Sequence, residues 1–172
     1  MLKPAVQYKE KLAICMANIW FNDKYKYYVA EPYCEIPETH TSSWCQNEFV
    51  SVDNNDNILG FIDYNINRRT YNASGLCILS FTDKPTLTFG KDILQSIDDI
   101  FQKFNFNKLR FSVVVGNPIE KTYDKLIVKY GGCIAGYSKK DIQLWDGQLY
   151  DLKTYEIMRE DYLRCKKNMS KQ

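Results

Sequence analysis

The stretch from Thr86 to Gly132 constrains the fold more than any other, because its hydrophobic pattern changes period twice. After Gly90, the residues Ile93, Leu94, Ile97, Ile100, Phe101 and Phe104 recur at the spacing of one helical face. Asn105 to Lys108 interrupt that pattern, and Leu109, Phe111, Val113 and Val115 then alternate as a strand does. Gly116-Asn117-Pro118 follows, and Pro118 has no amide hydrogen to give to a strand ladder, so pairing must stop there. A second helical face runs through Ile119, Tyr123, Leu126, Ile127 and Tyr130, and Gly131-Gly132 suits a left-handed C-terminal cap. Gly90 stands where a turn leaving a strand would open the first helix. A helix N-terminus exposed in this way is a natural place to hold an anion.

In their order and spacing, Gly90-Lys91, Asn117, Tyr123 and Gly131 resemble the acyl-CoA-binding core of the GCN5-related N-acetyltransferases (GNAT). The resemblance is closest to the RimJ/RimL-like branch, whose closing strands are similar to Asp146-Gly147-Gln148-Leu149-Tyr150-Asp151 before Tyr155-Glu156-Ile157. It covers the chain from Glu48 to Tyr162. In that family a Gly-rich turn opens the first helix and cradles the diphosphate of coenzyme A. The resemblance therefore implies that acetyl-CoA is the co-substrate, bound by the backbone of Phe89, Gly90, Lys91, Asp92 and Ile93 and by Asn117. Lys91 or Lys84 would add positive charge. It also implies that Tyr123 and Asn117 are catalytic, with Tyr123 giving a proton to the leaving thiolate. Two positions depart from the pattern: Leu87 replaces a basic or amide residue, and Asp92 replaces the second Gly. A carboxylate beside a diphosphate is unfavourable, so Asp92 has to point away or serve in the first turn of a surface helix. No glutamate stands on the strand Gly75–Phe81, where the family often places a base; Asp83, Asp63 and Glu48 are the nearest acids, and none is assigned.

The rest of the chain supplies a sheet for these helices to pack on. Val6, Leu12, Ala13, Met16, Ile19 and Trp20 predict an amphipathic first helix after a loose Met1 to Pro4. Phe21 to Pro37 carries Tyr25, Tyr27, Tyr28 and Tyr33, which either line a cleft or cover a seam between helix and sheet. His40, the single histidine, sits among small polar residues and reads as a solvated loop residue. Phe49–Val52 and Ile58–Ile66 predict a hairpin with the polar tip Asp53 to Asn57, and Ser74 to Phe81 a further strand. That strand and Leu109–Val115 are expected to pair in parallel, and the implied fold splays them apart to admit the pantetheine arm. Cys133–Ser138 predicts a strand, Lys139-Lys140-Asp141 a solvated turn, and Ile142 to Tyr150 a tight hairpin. Leu163 to Gln172 is basic, polar and expected to fray.

The fold expected is α/β: a mixed, mostly antiparallel sheet of six or seven strands flanked by about four helices. Residues 1–172 read as one domain without repeat or linker. Six scattered cysteines with no Cys-x-x-Cys pair indicate reduced thiols, with neither a metal site nor a disulfide framework. A net charge of +2 from interleaved residues argues against nucleic acid as a partner. No apolar run spans a membrane and no secretory leader is visible, so a soluble, cytoplasmic protein is expected. The function implied by the resemblance is acetyl transfer from acetyl-CoA to a primary amine on a protein N-terminus, a lysine or a small molecule. The alternative is a catalytically silent GNAT-fold module for protein contact, from a phage or other mobile element. Its Asn-, Lys- and Tyr-rich composition accompanies AT-rich coding sources. Oligomeric state is not legible.

Overall fold

A computed structural model describes residues 1–19, 22–28, 39–40 and 44–171; Trp20, Phe21, Pro32, Tyr33, Cys34 and Pro37 lie outside the described residues. Seven strands form one sheet in the order β1-β2-β3-β4-β5-β7-β6. Among the described residues four α-helices accompany it, so the mostly antiparallel α/β architecture expected from the sequence is the one observed. The chain divides into two compact units, Met1–Ile66 with Cys77–Ile97, and Asn67–Leu76 with Asp98–Gln172. Among the described residues no helix is long and apolar enough to cross a membrane.

In the first unit, Leu2–Pro4 is not loose. It forms β1, pairing antiparallel with β2 (Gln46–Val52) through Leu2↔Ser51 and Pro4↔Phe49. A 3-10 turn, Ala5–Tyr8, leads into α1 (Lys9–Ala17), and the helical spacing read from the sequence delivers Leu12, Met16 and Ile19 to the core. They pack there with Ala5, Val50, Val52, Phe61 and Leu79, while Tyr25 and Tyr28 cover the margin of the same cluster. β3 (Ile58–Asn67) pairs antiparallel with β2. At the hairpin tip the Asp53 carboxylate accepts the amides of Asn55 at 2.8 Å and Asn57 at 2.9 Å, an Asx turn that fixes the loop. α2 (Leu87–Asp98) is anchored by Phe89, whose ring lies over Gly60. A Cβ on Gly60 would meet that ring at 2.3 Å, so the bare backbone there is what admits the helix.

In the second unit, the opening residues of β4 (Asn72–Ser80) pair in parallel with β5 (Lys108–Val114). α2 continues as one π-helical turn, Asp99–Lys103. α3 (Glu120–Tyr130) ends as expected at Gly131, with φ of 70° and its amide bonded to Ile127 O. β7 (Leu149–Met158) inserts between β5 and β6 (Cys133–Gln143), antiparallel to both. The turn expected at Lys139-Lys140-Asp141 is instead part of β6. The extra residues are absorbed as a bulge, with Lys140 at φ 49° and its amide donating to Asp151 Oδ1 at 2.8 Å. The C-terminal stretch expected to fray forms α4 (Arg159–Met169). Its anchor is Tyr162, stacked on Phe101 and Tyr130 with ring centroids at 4.6 and 4.9 Å.

Candidate active site

The helix expected to open at Gly90 opens one turn earlier. Thr86 is its N-cap: the Thr86 hydroxyl oxygen accepts the Phe89 amide at 3.3 Å, and the Thr86 carbonyl accepts the Gly90 amide at 3.1 Å. Threonine is among the residues that cap best, and its bond reaches the third helical residue as capping geometry requires. The unpaired donors at this end are therefore the amides of Leu87 and Thr88, with that of Phe89 shared with its cap. Gly90, Lys91, Asp92 and Ile93 lie inside the helix, where their amides serve the helical ladder. Phe89 itself is a core side chain, while Leu87 is 86% exposed. Gly90 is open, since a side chain there would meet nothing within 4 Å.

Asp92 points away from that end. Its Oδ2 accepts the Ser51 hydroxyl at 2.6 Å and lies 3.0 Å from the Met1 amine. The carboxylate that seemed out of place in the sequence is thus compensated against β1 and β2, where it opposes nothing at the helix N-terminus.

Asn117 and Tyr123 belong to the second unit, at the start of α3. Gly116 takes φ 93° as β5 ends. Asn117 Oδ1 then accepts the Ile119 amide at 3.1 Å and its carbonyl accepts the Glu120 amide at 2.9 Å, so Asn117 is committed to starting the helix. Tyr123 stands edge-on to Phe111 at 5.2 Å and to Tyr155 at 6.1 Å between centroids. The register of α3 on β7 is fixed by Lys153, 4% exposed, whose ammonium donates to Glu120 Oε1 at 3.0 Å and Asp124 Oδ1 at 2.7 Å. Burial works against the charge on Lys153, but these two carboxylates outweigh it and hold the ammonium well above the usual lysine range. Tyr155 donates to the same Asp124 oxygen at 2.9 Å. Burial first, and then that anion, push the Tyr155 phenol up to about 12. Sequence reasoning missed this clamp. Its signal was Glu120 and Asp124 one helical turn apart beside the candidate Tyr123.

β4 and β5 pair only through Asn72↔Lys108, Ala73↔Leu109 and Ser74↔Arg110. The next residue, Gly75, has φ 65°, a conformation that breaks the ladder. An open hollow of about 290 Å³ lies at this point, lined by Ser74, Gly75, Leu76, Arg110, Phe111 and Ser112.

The acids left unassigned by the sequence also find places. Asp83 is exposed and ion-paired to Lys24 at 3.1 Å. Glu48 and Asp63 are direct cross-strand partners on β2 and β3. His40 joins them, with its Nδ1 3.1 Å from Glu48 Oε2.

No known family model and no curated protein sequence matches the chain. Solved structures do. Spermidine N-acetyltransferase SpeG from Vibrio cholerae in complex with CoA and spermine is 20% identical, with a TM-score of 0.71 over 95% of this chain and 97% of that one. A chimera of SpeG from Vibrio cholerae and hSSAT is 19% identical, with a TM-score of 0.72 over the same shares. SpeG from Vibrio cholerae in complex with manganese ions is 20% identical, with a TM-score of 0.68 over 95% of both chains. These likenesses do not single out the RimJ/RimL-like branch; they show that the chain has the fold of the GNAT-type spermidine N-acetyltransferases.

Proposed function

We propose that the protein transfers an acetyl group from acetyl-CoA to the primary amine of a small, cationic acceptor of the polyamine class. The observation that carries this reading is the early parting of β4 and β5 at Gly75, with a hollow opening between strands that pair at only three positions. A parallel pair in the interior of a sheet gives up ladder hydrogen bonds only where something else satisfies them. A pantetheine arm carries amides suited to that role. In the first unit, the free amides of Leu87 and Thr88 at the positive end of α2 suit a diphosphate by themselves, with exposed Gly90 leaving room beside them. Asp92, held by Ser51, does not oppose it. The polyamine acceptor is supported by the SpeG likeness and by the paired carboxylates Glu48 and Asp63.

Two tasks fall to this chain's own side chains: an ammonium acceptor must lose a proton before it can attack, and the departing sulfur must gain one. Tyr123 is proposed for the second. A phenol can give a proton, and the Tyr123 ring is held by Phe111 and Tyr155.

Incubation with acetyl-CoA and a panel of spermidine, lysine peptides and N-terminal peptides, read by mass spectrometry, tests the reading. Acetylated spermidine is expected. Acetylation of peptides alone would move the acceptor toward the RimJ/RimL-like branch. The second reading, a silent scaffold for protein contact, is favoured by the engagement of the Gly90 amide within α2. No acetylated product from any amine would support it.

Gly90→Val separates the two readings without unfolding the protein, because the added side chain enters open space on an exposed helix. Affinity for acetyl-CoA is expected to fall about tenfold, equivalent to about 1.4 kcal/mol. An unchanged dissociation constant in the folded variant would remove α2 from the binding site.

A further inference from the structure

The second unit buries a lysine on an interior strand. Lys153 of β7 pairs with Val113 of β5 on one side and Tyr137 of β6 on the other. The next residues on the same face of β7, Tyr155 and Ile157, are fully buried. Apolar side chains of similar size commonly replace a buried ion pair without loss of stability. Packing therefore does not call for a charge at this position, and what the charge grips becomes the telling feature. Its two carboxylate partners, Glu120 and Asp124, lie one above the other on one side of α3, with Tyr123 between them in the chain. Glu120 uses its second oxygen to accept the Gly116 amide at 3.2 Å, which ties the same helix to the end of β5. Asp124 Oδ1 also accepts the Tyr155 hydroxyl, and the Tyr155 ring stacks on Phe111 with centroids 5.2 Å apart. Tyr123 stands edge-on to both of those rings.

We infer, building on the acetyl transfer proposed above, that Lys153 is a positioning residue for that reaction: its buried ammonium holds Tyr123 in the orientation from which it gives its proton. Lys153 itself touches no reacting atom. In the step it serves, the amine nitrogen bonds to the acyl carbon, the C–S bond breaks with its electron pair on sulfur, and the Tyr123 proton passes to that sulfur. The surplus proton on nitrogen leaves to water, and the phenolate regains one from water.

One cation thus acts on Tyr123 along two routes. Through Glu120 and Asp124 it sets how α3 is turned about its axis against β7. Through Asp124 it also sets the Tyr155 ring against which Tyr123 rests. An apolar side chain at the same place would fill the volume and grip neither carboxylate, so the helix could turn by as much as its packing allows. Such small turns matter to chemistry more than to stability, because a reacting group displaced by about 1 Å can cost about a hundredfold in rate.

The test is Lys153→Met, made in the wild type and in Tyr123→Phe. Methionine keeps a long unbranched side chain, and the Glu120 and Asp124 side chains it releases are 22% and 42% exposed, so they can turn to water. The variant is therefore expected to fold, which a cooperative melt checks. kcat is measured with whichever of spermidine, lysine peptides and N-terminal peptides the wild type acetylates fastest. It should fall about tenfold or more, with KM for acetyl-CoA unchanged. In Tyr123→Phe the same substitution should cost less than about twofold, because the group it positions has already lost its proton. A merely structural role would lower both backgrounds alike. Lys153→Arg, which can reach both carboxylates, should recover part of the rate. Should Lys153→Met fail to fold, Asp124→Asn at the exposed end of the clamp takes its place and should show the same dependence on background. Wild-type kcat in the folded variant, or an equal loss in both backgrounds, would overturn the positioning role and leave the acetyl transfer standing. A wild type that acetylates no amine would overturn the acetyl transfer and the positioning role with it, a result told apart because it is seen before any variant is made.

Discussion

Tyr162→Ala is expected to destabilise the protein by about 3–5 kcal/mol, the usual cost of removing a fully buried aromatic side chain. Tyr162 is 1% exposed and stacks on Phe101 from the π-helical turn and Tyr130 from α3, so its loss empties a site lined by three elements. Its hydroxyl also donates to Asp98 Oδ1 at 2.6 Å, while Lys166 holds the other oxygen at 2.8 Å. The cavity and the lost hydrogen bond act in the same direction, while Asp98 keeps its bonds from Gln102 and Lys166. Chemical denaturation reads the effect, and Tyr162→Phe, which keeps the stack and loses only the hydrogen bond, should cost about 1.5–3 kcal/mol. A Tyr162→Ala midpoint within 1 kcal/mol of wild type would mean that α4 is not docked through this ring.

Tyr123→Phe is expected to lower turnover about tenfold to a hundredfold, the usual size of help from one positioned acid. The ring contacts with Phe111 and Tyr155 do not depend on the hydroxyl, so the ring packing should be kept. Acetyl-CoA affinity should hold as well, since no phosphate donor is removed. Wild-type turnover in Tyr123→Phe would reduce Tyr123 to a packing residue and leave the leaving sulfur without a named donor.

The parts of the fold that were legible in the sequence are those governed by local pattern. Alternation marked β2, β3 and β5, the face from Ile119 to Tyr130 marked α3, and Gly131 marked its end because a left-handed cap favours glycine. The start of α2 was misplaced because a glycine suggested a turn, whereas the Thr86 hydroxyl three residues before Phe89 offered the better cap. β6 was cut short at Lys139-Lys140-Asp141 because the bond that carries the strand through comes from Asp151, on the far side of the hairpin. α4 looked frayed because its buried residue, Tyr162, packs on partners remote in sequence.

The candidate site divides along the same line. Tyr123 and Asn117 were found by resemblance, and the structure adds what lies around them: the Lys153 clamp and the turn bonds of Asn117 ahead of α3. Asp63 and Glu48 were visible only as two acids among several. Their cross-strand partnership depends on the register of β2 against β3, which the hairpin tip sets. Pairing register is a tertiary property, and no local pattern encodes it.

Calorimetric titration of the purified protein with acetyl-CoA tests the central claim most directly, because it needs no knowledge of the acceptor. Binding in the micromolar range, about −8 kcal/mol, with a matching rise in melting temperature, is the expected result. No heat and no thermal shift at millimolar acetyl-CoA would contradict it and leave a GNAT-type fold without its co-substrate.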